Sequence, residues 1–253
     1  DPYSMSLFYF CVAQGGYYQG GGHFIKGGSQ KLSDYLASVI TKNGGEVLLD
    51  YKVNGILMEN DKAVGVEYKN TFSNQEAKKV YAKYIVANSA VPVVANMLPS
   101  PYKEKLQDKI KPIPYSCSLS TMYLGFDIDL KTINSHYSSM YSEDDITIKS
   151  LHQSFKAGFD KRNFIFVDYS QIDSALAKDG QSFASICFVD YIEDWKGLSD
   201  KEYKAKKENT MDIFLKRLEE KIPNSTKHII YKELSTPITV QRSTMNQTGS
   251  IYG

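Results

Sequence analysis

The stretch Gly15–Leu36, GGYYQGGGHFIKGGSQKLSDYL, places seven glycines ahead of a helical pattern. A glycine-rich turn feeding a helix N-terminus is a common phosphate site, because free backbone N–H groups converge there on the anion. Two such cradles can be tested by spacing. G-x-x-x-x-G-K-[ST] occurs nowhere in the chain. G-x-G-x-x-G also fails, since Gly20 and Gly22 are followed by Ile25 where the third glycine would stand. The glycines are therefore expected to supply backbone freedom and close approach rather than a complete phosphate cradle. Taken one at a time, each also fits a plain turn.

Outward from this stretch the pattern is easier to read. Leu32, Leu36, Val39 and Ile40, with Tyr35, fall on one helical face, and Ser29 and Gly44 suit its two ends. EVLLD at Glu46 is expected as a short strand, and VNGILMENDKAVGVEY at Val53 as two strands joined at Asn60–Asp61. KYIVANSA at Lys83 is expected as a strand buried on both faces. Pro92 and LPSP at Leu98 mark a boundary. Beyond it, SLSTMYLGFDI, NFIFVDYSQI and SFASICFVDYI read as strands. The segment after Ser199 reads as a long helix with a Ser199/Glu202 capping box, closed by Pro223. Its stripe is Tyr203, Met211, Phe214, Leu215, Leu218 and Ile222, and its Lys, Arg and Glu residues are expected on a solvated face.

Composition narrows the function. With 30 Lys plus Arg against 29 Asp plus Glu, the net charge of +1 gives no electrostatic case for nucleic acid. Cys11, Cys117 and Cys187 are odd in number and far apart, which excludes a disulfide framework or zinc ribbon and fits a reducing compartment. The four histidines show no metal-ligand spacing, so no metal is expected. The 19 tyrosines suit cores and apolar ligand channels alike. NST at Asn224 and NQT at Asn246 match the glycosylation pattern, which recurs by chance. No catalytic acid, base or nucleophile can be picked out, which is compatible with a cofactor that carries the chemistry. Asp1 at the start and TGSIYG at the end lead us to expect a piece of a longer polypeptide.

The stretch YYQGGGHFIKGGSQKLSDYLASVITKNGGEVLLDYKVNGILMENDKAVGVEY, with YIVANSAVP, resembles the middle of the phytoene desaturase and retinol saturase family of FAD-dependent oxidoreductases. YSCSLSTMYLGFD at Tyr115, DSALAKDGQSF at Asp173 and STPITVQRSTMNQTGSIYG at Ser235 continue the likeness in the same order. The turn at Asp173 departs from it, with Ser174 and Lys178 where prolines are usual.

The resemblance implies a mixed α/β fold: part of an FAD/NAD(P)-binding flavoprotein domain plus a mixed-sheet and helix substrate domain. Residues 1–21 would be a substrate-domain segment, 22–100 the FAD-binding portion, 101–235 the substrate-binding domain and 236–253 a return toward the FAD-binding domain. The cofactor implied is FAD, with Gly27, Gly28, Val53, Ser89 and Ala90 beside it and Val53 meeting adenine through its backbone. Val53 also fits a β-branched core residue, and Ser89 and Ala90 ordinary strand termination. The activity implied is desaturation, saturation or isomerisation of an apolar carotenoid- or retinoid-like polyene. Alternatives are an amine- or porphyrinogen-oxidase-like flavoenzyme, or a cofactor-free lipid-binding or interaction module. The chain taken alone is expected to be inactive and to bind FAD weakly or not at all. Its expected location is cytoplasmic, with peripheral membrane contact left open and the oligomeric state undetermined.

Overall fold

The structure, a computed structural model, describes residues 6–142, 147–172 and 174–251. Asp173, where the family-like turn begins, lies outside these residues, as do positions 1–5 and the last two residues of the Ser235 stretch. In chain order the elements are α1 (Leu7–Gly20), α2 (Ser29–Lys42), β1 (Tyr51–Glu59), β2 (Lys62–Asn70), β3 (Lys78–Tyr81), α3 (Val91–Met97), α4 (Tyr102–Ile110), β4 (Ser118–Phe126), β5 (Ser139–Tyr141), α5 (Ile148–Phe155), β6 (Ile165–Asp168), β7 (Ser182–Asp190), α6 (Asp200–Lys221), β8 (Ile229–Ser235) and α7 (Pro237–Thr244). The strands form a three-stranded sheet, β1-β2-β3, and a five-stranded sheet, β5-β6-β7-β4-β8. The chain divides into two compact units. The first is Asp1–Val39, Met122–Phe188 and Lys206–Leu234; the second is Ile40–Thr121, Val189–Ala205 and Ser235–Gly253.

In the first unit the core follows from strand alternation. Met122, Leu124 and Phe126 of β4 and Ala184, Ile186 and Phe188 of β7 are buried, because side chains two apart share a face. Helix α6 supplies the opposing stripe with Met211, Phe214 and Leu218, spaced for one helical face. Phe214 stacks on Phe188 at 4.1 Å between ring centroids and meets Phe164 edge-on at 5.6 Å. The capping box that opens α6 forms: Ser199 donates its N–H and Oγ–H to Glu202, and Glu202 N–H bonds Ser199 Oγ. Arg217 departs from the solvated face expected of its charge. Its guanidinium donates to the carbonyls of Phe159 (3.1 Å) and Arg162 (2.6 Å) and lies over the rings of Phe164 and Phe214. Backbone acceptors and ring faces there replace water around the cation.

In the second unit β1 and β2 form the expected hairpin, turned at Asn60 and Asp61, which both have positive φ (48° and 61°). Tyr102 donates to Asp61 Oδ1 at 2.5 Å and ties α4 to that turn; this hydrogen bond raises the Tyr102 phenol above its ordinary pKa. Fully buried Asp190 accepts from Ser120 Oγ, from Trp195 Nε1 at 2.9 Å and from the Tyr191 N–H at 2.8 Å.

Three expectations fail. Gly15, Gly16 and Gly20 are not turn residues; they lie inside helix α1. The segments expected as strands at Glu46–Asp50 and Lys83–Ala90 belong to neither sheet. Leu49 is 77% exposed and Val86 91% exposed, so among the described residues the apolar runs that suggested buried strands lie largely open. A strand is defined by the neighbour it bonds to, and apolar composition cannot supply one. Helix α1 likewise exposes Phe8 (80%) and Tyr18 (90%), and it carries no charged residue. No helix among the described residues is long and apolar enough to cross a membrane.

Two outcomes follow from this packing. Phe214→Ala removes a ring held between Phe188 and Phe164, and should cost about 3–5 kcal/mol of stability, read as a lower urea midpoint at unchanged slope. Glu219 accepts hydrogen bonds from Thr226 N–H (3.0 Å), Thr226 Oγ (2.8 Å) and Asn224 N–H (2.5 Å). The Thr226 N–H bond leads in holding its carboxyl below the ordinary value. A depressed folded pKa contributes stability above the unfolded carboxylate pKa and loses it as pH falls through the folded value. Glu219→Gln should therefore lower stability at neutral and alkaline pH and flatten the acid side of the stability–pH curve, read from urea midpoints across pH.

Candidate functional site

The glycine pair lies in the first unit. Gly27 and Gly28 both have left-handed backbones, φ 83° and 84°. The Gly27 N–H donates to Ser174 C=O at 2.6 Å and the Gly28 N–H to Ile25 C=O at 2.8 Å. These two donors are thus taken by protein carbonyls. A Cβ on Gly27 would sit 2.9 Å from Lys31 Cγ, and one on Gly28 would sit 3.2 Å from Leu176 Cδ2. The pair admits a left-handed turn and the close approach of the 174–176 loop.

That loop continues a polar scaffold. Asp168, fully buried, holds His136 Nε2 at 3.0 Å and accepts the Ser170 N–H at 3.0 Å, which fixes the one-turn helix Tyr169–Gln171. Ser170 Oγ accepts the Phe183 N–H at 3.0 Å, and Ser174 Oγ donates to Tyr169 C=O at 2.6 Å. These bonds bring four rings into succession. Phe24 meets Tyr169 edge-on at 5.8 Å, Tyr169 stacks on Phe183 at 5.7 Å, and Phe183 stacks on Tyr123 at 6.5 Å with planes 8° apart. Phe24 and Tyr123 remain exposed. Partial burial, with Cys187 and Tyr169 adding to it, raises the Tyr123 phenol, so the ring stays neutral over a wider pH range. Tyr123 sits between buried Met122 and Leu124 and so faces away from the core.

The second unit holds Val53, Ser89 and Ala90. Val53 pairs with Tyr68 across β1–β2, just before a bulge at Gly55. Ser89 and Ala90 fall in a cleft of about 490 Å³, with Asn88, Val91, Thr244 and Asn246 as its other walls. Ala90 is the N-cap of α3. Asn246 follows the left-handed C-cap Met245 of α7 (φ 58°) and donates Nδ2–H to Ser250 C=O at 2.9 Å. A second cleft of about 560 Å³ shares the Val91 wall and reaches Tyr115, whose OH donates to Gln247. Gly249 allows this segment to close: φ is 63°, and a Cβ there would lie 2.3 Å from Pro237 C=O. Ser89 and Ala90 thus share one cleft. Sequence reading missed its Thr244 and Asn246 wall and also missed the ring series. An aromatic at the outward position of an otherwise buried alternation, as at Tyr123, is the signal that could have found the rings. Among the described residues no His, Cys, Asp and Glu group could hold a metal ion.

Residues 1–231 match the family model described as flavin containing amine oxidoreductase. The chain belongs to this family. It is 28% identical over 238 residues to prolycopene isomerase, chloroplastic, of Daucus carota, covering 92% of this chain and 36% of that protein. It is 27% identical over 165 residues to 4,4'-diapophytoene desaturase (4,4'-diapolycopene-forming) of Methylomonas sp, covering 63% of this chain and 30% of that protein. The 4,4'-diapophytoene desaturase (4,4'-diaponeurosporene-forming) of Staphylococcus aureus (strain Newman) is 22% identical over 252 residues, covering 92% of this chain and 46% of that protein. The chain therefore spans between about a third and a half of the length of these relatives. The fold matches that of an oxidoreductase from Methanosarcina mazei, with a TM-score of 0.58 at 16% identity, covering 90% of this chain and 47% of that one.

Gly249→Ala should destabilise the 245–250 turn by about 2 kcal/mol, since it adds a methyl against a fixed carbonyl on a left-handed backbone. A urea titration of the variant against the unchanged chain measures it.

Proposed function

We propose that this chain is part of a flavin-dependent oxidoreductase that desaturates, saturates or isomerises an apolar carotenoid- or retinoid-like polyene. The supporting observation is the cleft at Ser89 and Ala90. It joins the turn after YIVAN to the STMNQTG segment, two stretches whose likeness to one flavoenzyme family is independent and which lie far apart in the chain. Small residues at its floor permit close approach, and Asn88, Thr244 and Asn246 offer hydrogen-bonding groups to a sugar or phosphate edge. At about 490 Å³ the cleft suits one portion of FAD. Within the same unit, a backbone edge at Val53 would serve the adenine.

In this reading residues 22–100 and 236–253 serve the flavin, and 1–21 and 101–235 the substrate. Bound flavin supplies the two-electron chemistry. The protein's residues hold it, keep water from the apolar substrate and orient that substrate by shape. The names of the relatives support a polyene over an amine. Because the sequence holds no G-x-G-x-x-G loop for the pyrophosphate, the chain alone would bind FAD weakly and lack activity.

In the complete flavoprotein, Ala90→Leu should fill the cleft and weaken flavin binding by about tenfold or more, read from visible flavin absorbance retained after gel filtration. Val53→Ala should retain flavin, while Val53→Pro, which removes the N–H, should lose much of it. Wild-type flavin content in all three variants would overturn the assignment.

A further inference from the structure

We infer that the ring series Phe24–Tyr169–Phe183–Tyr123 is the surface that grips the polyene, with Phe183 as its central contact. The inference rests on the polyene reading above and adds where such a molecule would lie and what would select it. Three features of the first unit carry it. The centroid steps of 5.8, 5.7 and 6.5 Å are ring-to-ring contacts, so the four rings form one continuous aromatic strip. Both end rings, Phe24 at 57% and Tyr123 at 40% exposure, are open to a ligand. Lastly, the rings are fixed by backbone: Ser170 Oγ takes the Phe183 N–H, Ser174 Oγ reaches Tyr169 C=O, and the Gly27 N–H reaches Ser174 C=O. The carriers of Phe24, Tyr169 and Phe183 are thereby locked together, and Tyr123 stands on β4, the sheet neighbour of β7.

A flat conjugated chain offers π-faces along its length, and a row of neutral stacked rings meets such faces edge-on with no charge to desolvate. A saturated hydrocarbon gains only the area term, so the strip discriminates by conjugation as well as by apolarity. Gly27 is a positioning residue in this scheme, because its left-handed turn brings the Phe24 segment to the 174 loop.

The test uses the complete flavoprotein with lycopene delivered in detergent micelles, read by induced circular dichroism in the visible band, with squalane as the saturated competitor. The expected result is a lycopene signal that Phe183→Ala weakens about tenfold, Phe183→Leu weakens less, and squalane displaces poorly. Far-UV circular dichroism checks the folding of each variant, and Phe183→Leu, which keeps an apolar side chain of similar reach, decides the matter if the alanine variant unfolds. Lycopene binding that stays within twofold of wild type in a folded Phe183 variant would overturn the ring strip and leave the polyene reading standing. Equal displacement by squalane would overturn the ring strip alone, and no lycopene signal in the unchanged protein would overturn both.

Discussion

The stack of Phe214 on Phe188 is the contact on which the first unit depends. One ring comes from the middle of α6 and the other from the end of β7, and their 4.1 Å separation sets the helix against the sheet. Phe164 and Phe159 close around Phe214, and Arg217 spreads its guanidinium over the same cluster while bonding the carbonyls of Phe159 and Arg162. A ring on each side of the helix–sheet seam leaves β4 and β7 only one way to turn. Their even-numbered residues go inward and their odd-numbered ones, buried Ser185 apart, are more exposed. The outward set is what places Tyr123 and Phe183 on the open face.

A polar frame organises that open face. Buried Asp168 gathers His136 and the Ser170 N–H, Ser170 gathers Phe183, and Ser174 gathers both Tyr169 and Gly27. Each bond is ordinary, and in sequence they link segments that no local rule connects. The glycines at 27 and 28 matter because their backbones can turn left-handed where a side chain would strike Lys31 or Leu176. The motif that looked like a phosphate cradle therefore spends these two N–H groups on the protein itself.

The second unit shows the same economy at Gly249, where a carbonyl takes the space of a side chain and the turn after α7 closes on Pro237. That closure sets Asn246 beside Ser89 and Ala90. By contrast, the extended runs around Leu48 and Val86 and the uncharged helix α1 carry core-like composition on open surface. Uniformly apolar helices and strands normally lie under other polypeptide, and the relatives are two to three times as long as this chain.

By itself the sequence determined the elements whose signals are local. The stripe in α2, the Asn60–Asp61 hairpin, the strands β4 and β7 with the shorter β6, and the capping box of α6 all follow from period and end chemistry. So did membership of a flavoenzyme family, because motif order survives in the chain whatever its folding. Period alone overcalled Glu46–Asp50 and Lys83–Ala90, since an apolar run reports a wish for burial and not a bonded neighbour. It missed α1, whose glycines read as turn, and it put Arg217 in solvent. The tertiary structure alone decided that Phe24 meets Tyr169, that Gly27 answers Ser174 and that Ser89 faces Asn246. The reason is physical. A residue's own neighbours fix its backbone preference, but the partner of an N–H, a ring face or a small side chain comes from wherever the folded chain returns.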